Sequence, residues 1–192
     1  MAAHGRVVLV GHGAAIMLRD VPHVLRVRIT APEPIRVRRV RDQQGLADEN
    51  AAAHLVHDID HERAARMRFL YRVDLDDPVL YDLTLNSERL TVEACVRIIR
   101  ETLETHSMQP TEQGLARARD LSLAAEARAR LLVDPRTRGL RVGVGANGGV
   151  VTISGLVDSE QARDLALRTV GAIPGAVVTN ELTIVPRRIP GT

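Results

Sequence analysis

The sequence predicts an α/β region with a parallel sheet, followed by a smaller α+β region. Strand-like apolar runs alternate with helical patterns up to about Met108, which favours parallel strands joined by helices. The stretch SMQPTEQG at residues 107–114 then mixes polar residues with proline and glycine, as linkers do. After it the order becomes helix, strand, strand, helix, strand, which is a different class of fold.

Three strands are predicted in the first region. The first is the apolar stretch VVLV, which ends at a glycine, and the second alternates apolar residues with arginines. A long polar helical stretch follows, with prolines at its start, where a missing N–H does no harm, and a break near Gly45. Thr91 is predicted to cap the last helix. The predicted ranges are strands at 7–10, 24–30 and 80–85, and helices at 36–71 and 91–105.

The second region is predicted to contain a hairpin between two helices. Asn147-Gly148 between alternating runs is a strong hairpin signal, because both residues tolerate positive φ. Asp158 with Gln161 three residues later resembles a capping box at the start of the second helix. The helices are predicted at 115–132 and 158–170, and the last strand at 176–185. The predicted domain limits are 1–107 and 115–186, with a linker at 108–114 and a tail at 187–192.

Composition excludes several classes of function. The 192 residues carry 26 basic residues, all of them arginine, against 24 acidic ones, so the net charge of +2 gives no strong field for nucleic acid or anionic lipid. Aromatic residues make up 2%, which leaves few rings for base stacking. We therefore expect no nucleic-acid partner. The single cysteine, Cys95, lies in an apolar helical pattern and is predicted to fill the core.

The chain is predicted to be cytoplasmic. One cysteine fits a reducing compartment. Arg6 precedes an apolar stretch, as in a signal peptide, but His12 and two glycines interrupt that stretch and no small-residue cleavage site follows. No run reaches the roughly 18 apolar residues of a membrane span.

Gly11-His12-Gly13, after the first predicted strand, is the candidate ligand-binding turn. Glycines let a phosphate approach backbone N–H groups at the start of a helix. As a dinucleotide fingerprint the stretch lacks a third glycine, and Arg28 and Thr30 stand where an acidic residue would hold a ribose. A tight structural turn is the alternative interpretation. His12 either donates to an anion or caps the turn.

Residues 5–105 resemble the cytidylate kinase-like family of P-loop nucleoside monophosphate kinases. The resemblance rests on VVLVGHGA at 7–14, VLRVRITAP at 24–32, RVRRVR at 36–41, DHER at 60–63, DLDDPVLYDLTLN at 74–86 and RLTVEA at 89–94. It implies that the Gly-x-Gly turn faces an acceptor nucleotide and that arginines of a helical lid close over the phosphates. His12 stands where the family usually has an arginine. The resulting phosphate-binding candidates are Gly11, His12, Gly13, Arg36, Arg39 and Arg63.

The resemblance begins in the middle of the family's domain. Such kinases open with a strand and a Gly-rich loop whose lysine contacts the transferring phosphate, and this sequence has no such loop and no lysine. We therefore assign no catalytic residue and expect no kinase activity from this chain alone. ATP and Mg²⁺ are implied only if a P-loop segment from elsewhere completes the site. The missing strand would lie inside the sheet, so the remaining strands pair directly, leave a gap, or accept a strand from a second chain or a second copy.

Arg63 is the arginine whose position most needs an explanation. On a helix it falls within an apolar stripe, and an inward-facing charge needs a partner. That partner is either an acid, such as Asp60 or Asp74, or a bound phosphate. The arginines of 36–41 point several ways around their helix, so some of them form a solvated face. The stripe consists of Val56, Ile59, Met67 and Leu70.

One helical face has the spacing of a zinc site. It carries His54, His57, Asp58 and His61. This face lies opposite the apolar stripe and has no cysteine or aromatic shell around it. A hydrated polar face is the preferred interpretation, and no metal site is predicted.

Residues 115–185 resemble a BON domain, a small module associated with membrane attachment or with ligand and protein contact. The resemblance rests on ARLLVDP at 129–135, VGV at 142–144, GVVTISGLV at 149–157 and IPGAVVTNELTI at 173–184. It implies no catalytic residues, and the partner is a protein, a small ligand or a phospholipid. We predict a binding or regulatory protein whose first region takes a nucleoside monophosphate. The alternatives are a phosphotransferase completed by a P-loop segment from elsewhere, and an exported BON-domain protein.

Overall fold

The chain folds into two compact units. The computed structural model describes residues 7–185, so the predicted tail at 187–192 lies outside the described residues. One unit spans Val8–Pro110 and the other begins at Thr111. This division falls inside the predicted linker, although the exact domain limits stay a prediction. The predicted fold class is confirmed, since one unit has a parallel sheet and the other has a separate three-stranded sheet with helices.

The first unit consists of four helices and a two-stranded parallel sheet. The sheet pairs β1 (Val27–Thr30) with β2 (Leu83–Asn86), in the register Val27 to Leu83. The helices are α1 (Ala14–Met17), α2 (Glu33–Gln44), α3 (Glu49–Tyr71) and α4 (Val92–Leu103), with 3₁₀ turns at Pro78–Leu80 and His106–Met108. Helix α2 ends at Gly45, whose φ of 64° suits glycine, and Asp48 caps α3 by accepting from the Asn50 N–H.

The predicted strand at 7–10 does not form. Residues Val7–Val10 have no regular structure, and Val8 and Val10 are 88% and 96% exposed. A strand needs a neighbour to accept its backbone hydrogen bonds. In the part of the chain that the structure describes, β1 pairs with β2 on one edge and with nothing on the other. The strand prediction was therefore wrong because high strand propensity without a partner does not make a strand.

Arg26, just before β1, and Arg28, on β1, tie the sheet to the segment before β2. Arg26 donates from its backbone N and its Nε to Asp82 Oδ2 at 2.8 and 3.1 Å, and from Nη2 to Oδ1 at 2.7 Å. This pairing lowers the pKa of Asp82. Arg28 donates to the Leu75 carbonyl at 3.0 Å, and its guanidinium lies 5.6 Å from the Tyr81 ring centre. These bonds hold the strand pair together.

One buried apolar cluster of the first unit lies between α2 and α3 and is built from Val37, Ala52 and Val56. The other buried apolar residues of this unit are Ile16, Val21, Ala31, Met67, Leu85 and Cys95. The predicted apolar stripe on α3 is only half confirmed. Val56 and Met67 are buried, but Ile59 and Leu70 are 41% and 57% exposed. Periodicity therefore overstates burial on this helix.

The second unit packs two helices on a mixed sheet. Its order is α5 (Glu112–Val133), β3 (Val142–Asn147), β4 (Val150–Val157), α6 (Glu160–Gly171) and β5 (Val177–Ile184). Strand β4 lies in the centre, antiparallel to β3 and parallel to β5. The core comes from both helices and the inner sheet face: Ala127, Leu131, Val144, Val151, Ile153, Ala166, Val170 and Ile173. The predicted order of elements is correct.

Three local predictions in this unit are corrected. Helix α5 begins at Glu112 instead of 115, because the Thr111 hydroxyl caps it and accepts from the Gly114 N–H at 3.1 Å. Ser159, not Asp158, caps α6, since its hydroxyl reaches the Ala162 N–H. The hairpin turn is Gly148-Gly149, at φ of 58° and 80°, because Asn147 still pairs with Val150 as strand.

Between residues 7 and 185, no helix combines the length and the apolar character needed to cross a membrane.

Candidate functional site

The Gly11–Gly13 turn packs against the far end of α3. A Cβ added at Gly13 would lie 3.4 Å from the Tyr71 hydroxyl oxygen. Gly11 and His12 are exposed, so the turn is open to a ligand. The fold therefore places the predicted turn beside the helix that carries Arg63.

Arg36 from α2 and Arg63 from α3 share one carboxylate, that of Asp60. Arg36 Nη1 donates to Asp60 Oδ2, and Arg63 Nη1 donates to Asp60 Oδ1 at 3.1 Å. Arg36 Nε also donates to the Ala31 carbonyl at 3.1 Å, which anchors its guanidinium at the entrance to α2. The side chains of Arg36, Asp60 and Arg63 are 35%, 38% and 33% exposed, so solvent reaches all three. Two guanidiniums against one carboxylate leave one positive charge.

His12 lies close enough to this cluster for its charges to act on the imidazole. The pKa of His12 is lowered from 6.5, first by partial burial and then by the charge of Arg63, while Asp60 acts in the opposite direction. A pKa below 6.5 keeps the ring neutral at pH 7, with one nitrogen as donor and the other as acceptor. The turn and the two arginines therefore form one candidate anion site, which we call the arginine cluster: His12, Arg36, Asp60 and Arg63.

Arg39 has a different partner. Its Nη1 donates to Ser87 Oγ at 2.9 Å, and its Nη2 donates to the Ser87 carbonyl at 2.8 Å. The Ser87 hydroxyl in turn donates to the Thr30 carbonyl at 3.0 Å. These bonds tie α2 to the ends of both strands of the sheet. Phosphate binding by Arg39 stays a prediction, and it would require this guanidinium to leave Ser87.

The histidine face of α3 shows no metal geometry. The rings of His57 and His61 stack, with centroids 6.4 Å apart. His54 Nδ1 lies 2.8 Å from the Asn50 carbonyl oxygen. Within residues 7–185, no group of three His, Cys, Asp or Glu side chains is arranged to hold a metal ion.

Cys95 is a buried free cysteine.

Asp120 in α5 is a buried carboxylate that the sequence analysis did not single out. Its Oδ2 accepts from the Gly148 N–H and its Oδ1 from the Gly149 N–H, both at 2.8 Å. The side chain is 6% exposed. Both oxygens therefore serve the hairpin turn instead of a ligand. A single acid in an amphipathic helix gives no sign of a turn 28 residues later.

Family models match both regions of the chain. Residues 1–89 match the model of the cytidylate kinase-like family, and residues 119–186 match that of the BON domain. The chain therefore contains a cytidylate kinase-like region and a BON domain, as the resemblances predicted.

Several curated cytidylate kinases are similar to this chain. The enzyme of Staphylothermus marinus is 36% identical over 105 residues, which are 54% of this chain and 57% of the relative. That of Aeropyrum pernix is 35% identical over 103 residues, or 53% and 58%. That of Methanosarcina barkeri is 28% identical over 107 residues, or 54% and 57%. The chain thus spans somewhat more than half the length of the curated relatives that it matches.

Proposed function

We propose that the first unit binds a nucleoside monophosphate and that the chain is a binding or regulatory protein, not an independent kinase. The base-bearing ligand would lie at the Gly11–Gly13 turn, and Arg36 and Arg63 would hold its phosphate. The BON domain would bring the first unit, with its bound nucleotide, to a protein, a small ligand or a phospholipid. We also propose that the protein acts in the cytoplasm.

One observation carries this proposal: two arginines from different helices converge beside the glycine turn. Guanidinium groups match phosphate oxygens in geometry and charge. The cluster keeps one positive charge after Asp60 is counted, and it is accessible. The relatives named cytidylate kinase support a nucleoside monophosphate as the ligand.

Binding without transfer follows from what phosphoryl transfer requires. The reaction depends on holding donor and acceptor in line and on neutralising charge on both. The arginine cluster supplies positive charge for one phosphate group. We therefore expect the acceptor to bind and no product to form when this chain alone meets ATP, Mg²⁺ and CMP.

Calorimetry of the full chain with CMP tests the binding step. Arg36→Gln and Arg63→Gln should each weaken CMP binding between about tenfold and a hundredfold, the range for losing a charge-assisted hydrogen bond. Arg68→Gln is the matched control, because Arg68 is exposed on the same helix, five positions from Arg63, and should not change CMP binding. Cytidine, which lacks the phosphate, should bind equally weakly to all four proteins. Absence of heat with CMP, or equal affinities for CMP across the set, would leave the arginines structural and end the proposal.

A phosphotransferase completed by a further polypeptide segment is the second candidate. Within residues 7–185 one edge of β1 is unpaired, and this favours the second candidate because natural proteins usually cover such an edge. Helix α4 has an apolar face, with Val92, Val96 and Leu103 at 74%, 49% and 42% exposure. An added strand would cover the edge of β1, and an added helix would cover the apolar face of α4. Turnover of CMP by this chain together with an added P-loop segment, but not by this chain alone, would favour this candidate over the first.

A further inference from the structure

Asp60 holds the place that an anionic ligand would take in the arginine cluster. Its two oxygens are divided between the cluster's arginines, Oδ2 accepting from Arg36 and Oδ1 from Arg63. The charge of Asp60 also acts on the pKa of His12 in the turn, in the direction opposite to burial and Arg63. A carboxylate offers guanidinium groups two anionic oxygens, much as a phosphate does.

We propose that Asp60 is an internal counter-ion, which an incoming phosphate displaces from Arg36 and Arg63 and which thereby sets the phosphate affinity of the site. This inference rests on the proposed function, since it concerns the same arginines. It goes further by giving the site a built-in competitor and a regulating residue that does not itself touch the ligand.

The contacts make this exchange feasible. All three side chains are about one third exposed, and ion pairs at that exposure contribute little to stability. Arg36 keeps its Nε bond to the Ala31 carbonyl, so its guanidinium stays in position while Nη1 changes partner. Arg63 and Asp60 stand on the same helix, three positions apart, so a rotation of the Asp60 side chain frees Arg63 without moving the backbone.

Removing the charge of Asp60 should therefore raise phosphate affinity. The site would carry two uncompensated guanidinium charges instead of one. We expect Asp60→Asn to bind inorganic phosphate about tenfold more tightly than the wild type, the gain available from freeing two partly exposed ion pairs. Its phosphate affinity should also fall more steeply with added salt, because a larger charge is screened. Asp60→Ser removes the same charge with a different side chain and should show the same gain.

The test measures binding of inorganic phosphate and of CMP to the full chain. Asp58→Asn is the matched control: Asp58 lies on the same helix, is 73% exposed and contacts His57 only at 3.8 Å. It should bind phosphate as the wild type does. Cytidine affinity should be the same in all variants. Circular dichroism verifies that each variant is folded.

The outcomes separate the two proposals. The counter-ion role is supported if Asp60→Asn and Asp60→Ser bind phosphate more tightly than the wild type while Asp58→Asn binds it with wild-type affinity. If CMP then binds no more tightly than phosphate, the proposed function fails and the counter-ion role stands. Wild-type binding of CMP together with unchanged or weaker phosphate binding in both Asp60 variants overturns the counter-ion role alone, because Asp60 then positions the arginines instead of competing for them. Absence of both phosphate and CMP binding in every variant overturns both proposals, and binding of CMP without any binding of phosphate overturns the counter-ion role alone.

Discussion

Replacing Asp120 by alanine should destabilise the second unit strongly, although Asp120 is one acid among many. Its carboxylate accepts from the Gly148 and Gly149 N–H groups, both at 2.8 Å, and so joins α5 to the β3–β4 turn. The side chain is 6% exposed, which keeps water from competing for these bonds. The turn residues themselves are exposed, so water can reach their N–H groups once Asp120 is gone.

The magnitude follows from those two bonds. A hydrogen bond to a charged acceptor contributes roughly 1.5–3 kcal/mol. The lower end of this range gives about 3 kcal/mol for the two bonds, and water that replaces the lost acceptor at the exposed turn recovers part of it, so Asp120→Ala should cost about 2–3 kcal/mol. Asparagine keeps one acceptor oxygen but turns its NH₂ donors toward the other N–H. Asp120→Asn should therefore lower the free energy of unfolding by nearly as much as Asp120→Ala does.

Hydrogen exchange is the suitable assay, because the two units need not unfold together. Core amides of β4, such as those of Val151 and Ile153, should exchange roughly 30 to 150 times faster in Asp120→Ala, which corresponds to about 2–3 kcal/mol. Glu126→Ala on the same helix is the control, since Glu126 makes a half-exposed pair with Arg130 worth under about 1 kcal/mol. Equal acceleration of β4 exchange in the two variants would refute the role assigned to Asp120.

Two further predictions concern the same unit. Gly155→Ala should destabilise it by about 2–4 kcal/mol, because the φ of 126° strains any side chain and the new Cβ would meet the Arg141 carbonyl oxygen at 2.9 Å. Denaturant titration measures the effect. Gly145→Ala is the control and should be nearly neutral, because a Cβ at Gly145 meets nothing within 4 Å. A Gly155→Ala variant as stable as Gly145→Ala would contradict the clash. Hydrogen bonds from the side chain and backbone of Arg136 lower the pKa of Asp134 to about 2, below the roughly 3.9 of an unfolded chain. The contribution of the Asp134 carboxylate to stability is therefore complete above about pH 4 and is lost as the pH falls toward 2. In an NMR titration of the carboxyl groups, the midpoint of Asp134 should move to higher pH in Arg136→Gln.

The second unit shows how far local sequence information reaches. Its order of elements follows from periodicity and turn residues, because each hairpin strand and helix is stabilised by near neighbours. The errors are shifts of one to three positions, as at Thr111 and Ser159. Several residues near each boundary have side chains able to cap a helix, and geometry decides which one reaches a free N–H.

The first unit shows where local information fails. The stretch Val7–Val10 has the composition of a buried strand, yet it is exposed and irregular. Strand formation depends on a partner that is distant in sequence, so propensity alone cannot establish it. Ile59 and Leu70 are likewise apolar at helical spacing and yet exposed, so spacing along a helix does not by itself establish burial.

How much of the candidate site can be predicted from the sequence also depends on whether its contacts are local or distant along the chain. Asp60 stands three positions before Arg63, so it is among the partners that the sequence allows, whereas Arg36 reaches that carboxylate from another helix. Nothing in the pattern of residues 36–41 separates Arg36 from Arg39, because the packing of α2 on its neighbours decides their partners. The Asp60 pairing also means that arginines alone do not identify a phosphate site. Removing the charge of Asp60 distinguishes the two roles through one quantity, the affinity for phosphate: it rises if Asp60 competes with phosphate for the arginines, and it stays the same or falls if Asp60 only positions them.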